Sequence, residues 1–126
     1  MNQQKLLFGK TVLVIEDNAF FADVIGQVLE LEQVRPYFAV NRQEALAQLA
    51  EHSVDVVLCD YNLPNISGTE LLREINSLCS VPIVLISGET PEVLDTLLAE
   101  QIVSAFITKP FTRAAIIASL QHAIEP

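Results

Sequence analysis

Thr11-Val-Leu-Val-Ile15 is an unbroken apolar run rich in β-branched residues, and the acidic pair Glu16-Asp17 follows it directly. The run lacks the polar alternation of a half-exposed strand, so it predicts a strand that is buried on both faces. Buried strands of this kind belong to parallel sheets that helices cover on each side. This one segment therefore favours an α/β fold.

The rest of the chain alternates between short apolar runs and helical segments. Further strands are predicted over residues 34–40, 54–59, 81–86 and 103–107, and helices over residues 19–32, 42–51, 70–78, 91–101 and 113–124. Thr69 and Thr112 are the expected N-caps of the third and fifth helices, and Pro91 is expected to open the fourth. Pro36 lacks a backbone N–H, which places the second strand at an edge of the sheet. The pattern predicts a doubly wound, five-stranded parallel sheet in the order 2-1-3-4-5 with five helices, of the flavodoxin-like type.

Length and composition limit the classes of function. The chain has 126 residues, 51% of them hydrophobic, which suits one compact domain over residues 10–126 after an N-terminal tail over residues 1–9. A formal net charge of −9 argues against nucleic-acid binding, because a phosphate backbone requires clustered Lys and Arg.

No apolar run reaches the roughly 20 residues that span a bilayer, and the first residues lack a signal-peptide pattern. We therefore expect a soluble, cytoplasmic protein that makes no membrane contact. Its two cysteines, Cys59 and Cys79, are expected to be buried thiols rather than a disulfide.

Chemically active side chains follow the ends of several predicted strands. They are Glu16 and Asp17 after the first strand, Asp60 after the third, Ser87 after the fourth and Lys109 after the fifth. In the order 2-1-3-4-5 the ligand crevice lies beyond the carboxyl ends of strands 1 and 3, so these groups are expected to meet there. A single acid at a strand end is most often a helix cap or a solvated loop residue. The convergence of all these groups is what predicts a site.

The types of side chain indicate phosphoryl chemistry with a metal. Carboxylates held close together repel one another unless a cation intervenes, and Mg²⁺ prefers hard oxygen ligands in octahedral geometry. Asp60 can then act as a nucleophile toward phosphorus and form an acyl phosphate. Lys109 and the Ser87 hydroxyl, together with the metal, would stabilise the charge on the transferring phosphoryl oxygens.

Several segments carry a family resemblance. They read VLVIEDN over residues 12–18, DVVLCDYNLP over residues 55–64 running on to Gly68, PIVLISG over residues 82–88 and FITKPF over residues 106–111. In this order and spacing they closely resemble the receiver domains of two-component response regulators, the CheY-like superfamily, over nearly the whole chain.

The resemblance implies roles for individual residues. Asp60 would accept the phosphoryl group and, with Asp17, would ligate Mg²⁺ directly. Asn62 would ligate the metal through its backbone carbonyl, and Glu16 would act through a metal-bound water. Lys109 would bind the phosphoryl group, and its peptide bond to the following proline would be cis.

The resemblance also implies a switch. Ser87 and Phe106 match the hydroxyl and the aromatic ring that link phosphorylation to a shape change. The hydroxyl would move toward the phosphoryl oxygens, and the Phe106 ring would turn into the space that it leaves, although Phe106 also fits a simple core role. Asn62 and Glu89 occupy positions that tune self-dephosphorylation, and we expect a short-lived phosphoryl state. Mild departures from the family pattern are Ser87 in place of Thr, Glu16 in place of Asp, and Ile66 in place of Met.

Two surfaces are candidate partner sites. On the first helix a second apolar stripe of Phe20, Val24 and Leu31 lies beside the core stripe of Phe21, Ile25, Val28 and Leu29. Either both stripes pack inside, or the second stripe docks a sensor histidine kinase or a histidine phosphotransfer domain. Candidate contacts for an unknown effector, or for a phosphorylation-dependent dimer of an otherwise monomeric domain, are Leu94, Leu98, Arg113 and Leu120.

Other functions are weighed against this one. A phosphatase of the haloacid dehalogenase type requires a second Asp two residues after its nucleophile, where this chain has Asn62. A flavodoxin-type carrier requires a Ser/Thr/Gly-rich phosphate loop, where residues 16–18 are Glu-Asp-Asn. A phosphorylation-independent interaction module stays open.

Because no effector domain follows Pro126, the chain is expected to be a stand-alone regulator or one receiver piece of a hybrid kinase or multi-domain regulator. It would be no enzyme beyond its own phosphoryl transfer and dephosphorylation.

Overall fold

Strands and helices alternate along residues 6–125, which the computed structural model describes. The elements are β1 (Thr11–Ile15), α1 (Ala19–Leu31), β2 (Arg35–Ala39), α2 (Arg42–Glu51), β3 (Val56–Asp60), α3 (Gly68–Leu78), β4 (Ile83–Ser87), α4 (Leu94–Ala99), β5 (Ala105–Thr108) and α5 (Arg113–Ile124). All strand pairs are parallel, and the 5-stranded sheet has the order β2-β1-β3-β4-β5. The predicted fold class and strand order are confirmed, including β2, with its Pro36, at an edge.

The two faces of the sheet bury separate cores. In β1, Leu13 and Ile15 face one core, while Val12 and Val14 face the other. Helices α2, α3 and α4 cover the first core, and α1 and α5 cover the second. Every residue of β3 and β4 is buried. Because helices cover both faces of the sheet, side chains on both sides of a strand are buried, which explains the continuous apolar runs. Burial of each large aliphatic side chain stabilises the folded state by about 1.5–3 kcal/mol.

The register brings the carboxyl ends of the central strands level with one another. Asp60 ends β3 and pairs with Ile86 of β4, and Ser87 ends β4 and pairs with Thr108 of β5. Glu16 follows β1, which lies directly beside β3. Asp60 and Ser87 are thus the last residues of their strands rather than the first residues of the following loops. Their backbones are fixed by the sheet itself.

The third helix begins earlier than predicted. Its N-cap is Ser67, whose hydroxyl accepts a hydrogen bond from the Glu70 backbone N–H, so the expected cap at Thr69 is wrong. Gly68 begins the helix against the backbone of Tyr61, where an added Cβ would lie 2.4 Å from the carbonyl oxygen. The Thr69 hydroxyl instead lies 3.1 Å from the Tyr61 hydroxyl. Ser67 and Glu70 form the S-x-x-E pattern of a helix start, so this boundary is set by the Ser67 cap together with the close approach of Gly68 to Tyr61.

The fourth helix is shorter than the predicted span of residues 91–101. It covers only Leu94–Ala99, and no side chain caps its first turn. Pro91 opens a turn rather than the helix, because its carbonyl accepts from the Leu94 N–H. At the other end Gln101 adopts a positive φ of 62°, which ends the helix. The predicted N-cap of the fifth helix is confirmed, since the Thr112 hydroxyl accepts a hydrogen bond from the Ala115 N–H.

Residues 1–5 of the expected tail lie outside the described residues. Leu7, which also belongs to the expected tail, is fully buried in the core that α1 and α5 cover, so the packed domain extends at least to this residue.

The two cysteines are only partly as predicted. Cys59 is a buried free thiol and Cys79 a half-buried one. Across residues 6–125, no helix has the length and apolar character required for a membrane crossing.

Candidate functional site

Carboxylates from two adjacent strands gather at the carboxyl edge of the sheet. One oxygen from each of Glu16, Asp17 and Asp60 lies within 4.8 Å of the others. Glu16 and Asp60 are only 2% and 3% exposed, whereas Asp17 is open to solvent. The predicted convergence of these acids is therefore observed, with two of them inside the protein and one at the mouth of the site.

Lys109 reaches this cluster from the loop after β5, the strand at the edge of the sheet opposite β2. Its Nζ lies 2.8 Å from Glu16 Oε1 and 3.1 Å from Asp60 Oδ2. The side chain is only 16% exposed, so the ion pairs lie largely out of water. The Lys109 backbone N–H donates to the Ser87 carbonyl, and the Lys109–Pro110 peptide bond is cis, as expected. One ammonium thus bridges two buried carboxylates.

The buried negative charge around Glu16 is not fully compensated. Burial raises the pKa of Glu16 to about 7, the neighbouring Asp60 adds to this shift, and Lys109 opposes it. Oε2 accepts a hydrogen bond from the Asn18 N–H. Oε1 has the ion pair with Lys109, but no described residue donates a well-aligned hydrogen bond to it. A buried carboxylate oxygen without an aligned donor, inside a cluster of acids, fits a hard divalent cation such as Mg²⁺.

The charge of Lys109 is secured by the same contacts. Burial alone would lower the pKa of the Lys109 ammonium, but the hydrogen bonds and charges of Glu16 and Asp60 outweigh burial and raise it. The side chain therefore stays cationic across the physiological pH range. A permanent positive charge beside Asp60 favours any anionic group that approaches this carboxylate.

The orientation of Asp60 is fixed from both of its oxygens. Oδ1 accepts a hydrogen bond of 2.9 Å from the Asn62 backbone N–H, and Oδ2 faces Lys109. The carboxylate is held by a turn on one side and an ammonium on the other. Asp60 is thus a preoriented carboxylate within the acidic cluster, and a carboxylate held in this way can serve as a nucleophile.

Ser87 lies on the next strand and is linked to two other predicted residues. Its hydroxyl oxygen accepts from the Asn62 side-chain amide at 3.1 Å and from the Glu89 backbone N–H at 3.3 Å. These groups form one wall of an open groove of about 410 Å³ beside Asp60. Because its oxygen accepts both bonds, the hydroxyl hydrogen is left to donate to an incoming group. The sequence placed Asn62 at the metal and gave no sign of its side-chain contact with Ser87.

Comparison with known proteins decides the family. The model of the response regulator receiver domain matches residues 12–121. The chain belongs to the response regulator receiver domain family. The flavodoxin-type and phosphatase alternatives are thereby set aside, and a phosphorylation-independent module is not favoured.

Relatives and solved structures agree with this assignment. The receiver domain is 30% identical over 118 residues to the phosphate regulon transcriptional regulatory protein PhoB of Pseudomonas aeruginosa, covering 91% of this chain and 52% of the relative. It is 27% identical over 111 residues to the sensory transduction protein RegX3 of Mycobacterium bovis, covering 88% and 49%. The chain thus spans about half the length of these curated relatives.

The fold is shared with solved receiver domains. A crystal structure of a CheY-like response regulator receiver domain protein from Methanospirillum hungatei superposes with a TM-score of 0.85 at 23% identity, covering 93% of this chain and 94% of that one. This likeness supports the fold alone.

The predicted switch aromatic lies one strand away from the site. Phe106 is half-buried on β5, opposite Leu85 of β4, and packs against the core that α2, α3 and α4 cover. Its strand neighbours the strand that ends in Ser87. The receiver domain therefore places the two residues on adjacent strands, with the ring neither fully inside nor fully outside.

One residue of the site is absent from the sequence prediction. The Phe21 ring lies under the Lys109 ammonium, with Nζ 4.4 Å from the ring centroid. Helical spacing had assigned Phe21 to the core stripe of α1, yet it is only half-buried. The available signal was its position at the first turn of the helix that follows Glu16 and Asp17, since a first-turn side chain lies near the strand end.

The second apolar stripe of α1 does not pack inside. Phe20 and Leu31 are 69% and 65% exposed, and Val24 is half-buried. Of the two alternatives for the second stripe, internal packing is wrong, because α1 presents only its Ile25 side to the sheet. The α1 surface defined by Phe20 and Val24 is therefore open.

Two of the four predicted contact residues on α4 and α5 are buried, and their prediction as surface contacts is wrong. Leu94 and Leu120 are 8% and 0% exposed, so neither can be a surface contact. Leu94 turns into the core with the first turn of the short α4, and Leu120 faces the sheet from α5. Leu98 is 38% exposed, and Arg113 is exposed and pairs with Glu32 at 2.9 Å. Only Leu98 and Arg113 remain as candidates.

Proposed function

We propose that this receiver domain accepts a phosphoryl group on Asp60 in a Mg²⁺-dependent reaction, and that the phosphoryl group switches a partner-binding surface. One observation carries the proposal: the buried Asp60 carboxylate lies 3.1 Å from Lys109 Nζ and within 4.8 Å of oxygens of Glu16 and Asp17. A nucleophile, a cation for the phosphoryl oxygens and a set of metal ligands thus meet at one point.

The residues present fit the ion. Asp17 and Asp60 would ligate Mg²⁺ through their carboxylates, Asn62 through its backbone carbonyl, and Glu16 through a bound water. Mg²⁺ bound among them supplies positive charge that offsets the acids and stabilises negative charge developing on phosphoryl oxygens. The exposed position of Asp17 at the mouth of the cluster suits a ligand that also meets solvent.

The protein groups perform the transfer. An Asp60 oxygen attacks the phosphorus of the donor, a P–O bond forms as the bond to the donor's leaving group breaks, and Asp60 becomes an acyl phosphate. Lys109 turns from the carboxylates toward a phosphoryl oxygen. The Ser87 hydroxyl, whose oxygen already accepts two hydrogen bonds, donates its hydrogen to another phosphoryl oxygen.

The switch follows from the contacts of Ser87. When the Ser87 hydroxyl moves toward a phosphoryl group on Asp60, its oxygen draws away from the Asn62 amide and the Glu89 N–H, and the space beside β5 changes with it. We propose that the half-buried Phe106 ring then turns inward and alters the surface near Leu98 and Arg113. Asn62 and Glu89 tune self-dephosphorylation, and the phosphoryl state is short-lived.

Partners follow from the family and from the open surfaces. The phosphodonor is a sensor histidine kinase or a histidine phosphotransfer domain that docks on Phe20 and Val24 of α1, and the output is an effector protein or domain. The domain acts in the cytoplasm, as a monomer or a phosphorylation-dependent dimer. Its net charge of −9 disfavours direct nucleic-acid contact. Its catalysis is confined to its own phosphoryl transfer and dephosphorylation.

The site of modification is tested by reductive trapping. Protein incubated with acetyl phosphate and Mg²⁺ is treated with borohydride, which reduces an acyl phosphate to an alcohol, and the peptides are mapped by mass spectrometry. We expect homoserine at position 60 in wild type and no trapped product in Asp60→Asn. Trapping at Asp17 or Glu16 instead would overturn the assignment of the nucleophile.

A further inference from the structure

The contact between Lys109 and the first helix assigns a role to an aromatic residue. We propose that Phe21 is a positioning residue that holds the Lys109 ammonium in the direction of Asp60. The inference rests on the proposed phosphoryl transfer, in which Lys109 receives the phosphoryl oxygens. Its basis is the 4.4 Å distance between Lys109 Nζ and the Phe21 ring centroid, which is well inside the range of a cation–π interaction.

Among the described residues the ammonium has two ion pairs and one aromatic contact, and the aromatic contact is independent of ligands. The carboxylates of Glu16 and Asp60 lie 2.8 and 3.1 Å from Nζ. Both carboxylates change their charge balance when a cation or a phosphoryl group arrives. The ring face of Phe21 does not, so it is the contact that keeps the ammonium in place while the others rearrange.

The ring itself is held in position by both sides of the site. The Phe21 backbone N–H donates to the Asn18 side chain, which caps α1 immediately after the acidic pair. The Phe111 ring, two residues after Lys109, lies 5.5 Å from the Phe21 ring at a tilt of 52°. Phe21 is thus fixed by the acidic loop at one end and by the lysine loop at the other.

Packing alone does not account for this placement. Phe21 is half-buried, whereas Ile25, one turn further along α1, is fully buried in the core. Leucine at position 21 would keep most of the apolar contact but would remove the negatively polarised ring face. Tryptophan would keep the ring face and strengthen it. The two substitutions therefore separate positioning from packing.

The test compares Phe21→Leu and Phe21→Trp with Phe38→Leu, which removes an aromatic ring on β2 that lies beside Gly26 of α1. The rate of phosphorylation by acetyl phosphate with Mg²⁺ is measured for each, after thermal unfolding has shown that the variants fold. Loss of a cation–π contact in a desolvated site predicts a rate about 5- to 30-fold lower in Phe21→Leu. Phe21→Trp should stay within about 2-fold of wild type, since its ring also attracts the ammonium.

A second measurement reads the contact without donor or metal. Proton NMR of metal-free protein should show the Lys109 side-chain resonances shifted upfield by the Phe21 ring, and Phe21→Leu should abolish the shift. Equal rates in Phe21→Leu and wild type, equal slowing in Phe21→Leu and Phe38→Leu, or unchanged Lys109 resonances in Phe21→Leu would each overturn the inference. A wild-type protein that takes up no phosphoryl group would instead overturn the proposed function on which the inference rests.

Discussion

The Asn62 side-chain amide donates a hydrogen bond of 3.1 Å to the Ser87 hydroxyl oxygen. The bond joins the turn after β3 to the last residue of β4, across the groove beside Asp60. A residue expected to tune the loss of the phosphoryl group therefore also restrains the hydroxyl expected to sense it. We therefore predict that the lifetime of the phosphoryl group and the shape change are coupled through this contact.

Asn62→Ala tests that coupling. The substitution removes an amide that can orient an attacking water beside the acyl phosphate, and it also frees the Ser87 hydroxyl to stay with the phosphoryl group. Both effects lengthen the lifetime of phosphorylated Asp60, by about fivefold for the loss of one hydrogen bond of about 1 kcal/mol. Decay of the phosphorylated protein is followed by mass spectrometry, with Glu92→Ala on the rim of the same groove as the control. Equal decay in Asn62→Ala and wild type would contradict the prediction.

Glu16 should make the metal-free protein less stable at alkaline pH. Its pKa is raised to about 7 in the folded protein, chiefly by burial, from the ordinary value of 4.5 for a glutamate side chain. The folded state therefore favours the protonated form, and this stabilisation is complete below pH 4.5 and is lost as the pH rises through about 7. Urea unfolding in EDTA should show a loss on the order of 1–3 kcal/mol between pH 5 and pH 8 from this group.

Glu16→Gln is the matched variant for that measurement. Glutamine keeps the size of the side chain and carries no charge, so its stability should depend less on pH over the same range. A pH dependence identical in Glu16→Gln and wild type would show that Glu16 does not titrate as described.

Removing one acid at the mouth of the cluster should separate metal binding from folding. Asp17 is exposed, so Asp17→Asn should leave the stability of the metal-free protein within about 0.5 kcal/mol of wild type. Wild type should gain about 2.7 kcal/mol in Mg²⁺ at 100 times the dissociation constant, and Asp17→Asn should lose most of this gain. Asp23→Asn, an exposed acid on α1 outside the cluster, is the control and should keep the gain. A full Mg²⁺ effect in Asp17→Asn would remove Asp17 from the ligand set.

The two stripes of α1 should respond differently to truncation. Phe20 is 69% exposed and Ile25 is fully buried. Phe20→Ala should therefore cost less than about 0.5 kcal/mol of unfolding free energy, and Ile25→Ala about 2–5 kcal/mol. Urea unfolding of the two variants side by side checks this. A large cost for Phe20→Ala would mean that the residue serves the fold and is no free docking surface.

The features predicted well from the sequence are those that one strand or one residue type determines. Strands buried on both faces give continuous apolar runs, and Pro36 excludes a central position for β2, so the sheet order followed. Parallel strands then place Glu16, Asp60 and Lys109 at one edge. Their convergence needed no knowledge of side-chain direction.

The features that were missed depend on caps, local turns and contacts between elements. The start of α3 is set by the Ser67 cap and the close approach of Gly68 to Tyr61, and the short α4 is set by turns at both of its ends. Leu94 was assigned to the surface because its position in the first turn of α4 could not be read from the predicted span. The contact of Phe21 with Lys109 joins α1 to the loop after β5, and its one signal in the sequence was the position of Phe21 in the first turn of α1.

The central claim is that Asp60 takes up a phosphoryl group in a metal-dependent way, and intact-mass spectrometry tests it most directly. Protein is incubated with acetyl phosphate and Mg²⁺ beside an Asp60→Asn sample and a sample with EDTA. We predict a mass gain of one phosphoryl group in the first sample and no gain in the other two. A gain that persists in Asp60→Asn, or in EDTA, would contradict the account. If no sample gains mass, and beryllofluoride, which mimics the phosphoryl group, also fails to bind, the pocket does not accept a phosphoryl group and the proposed function is wrong.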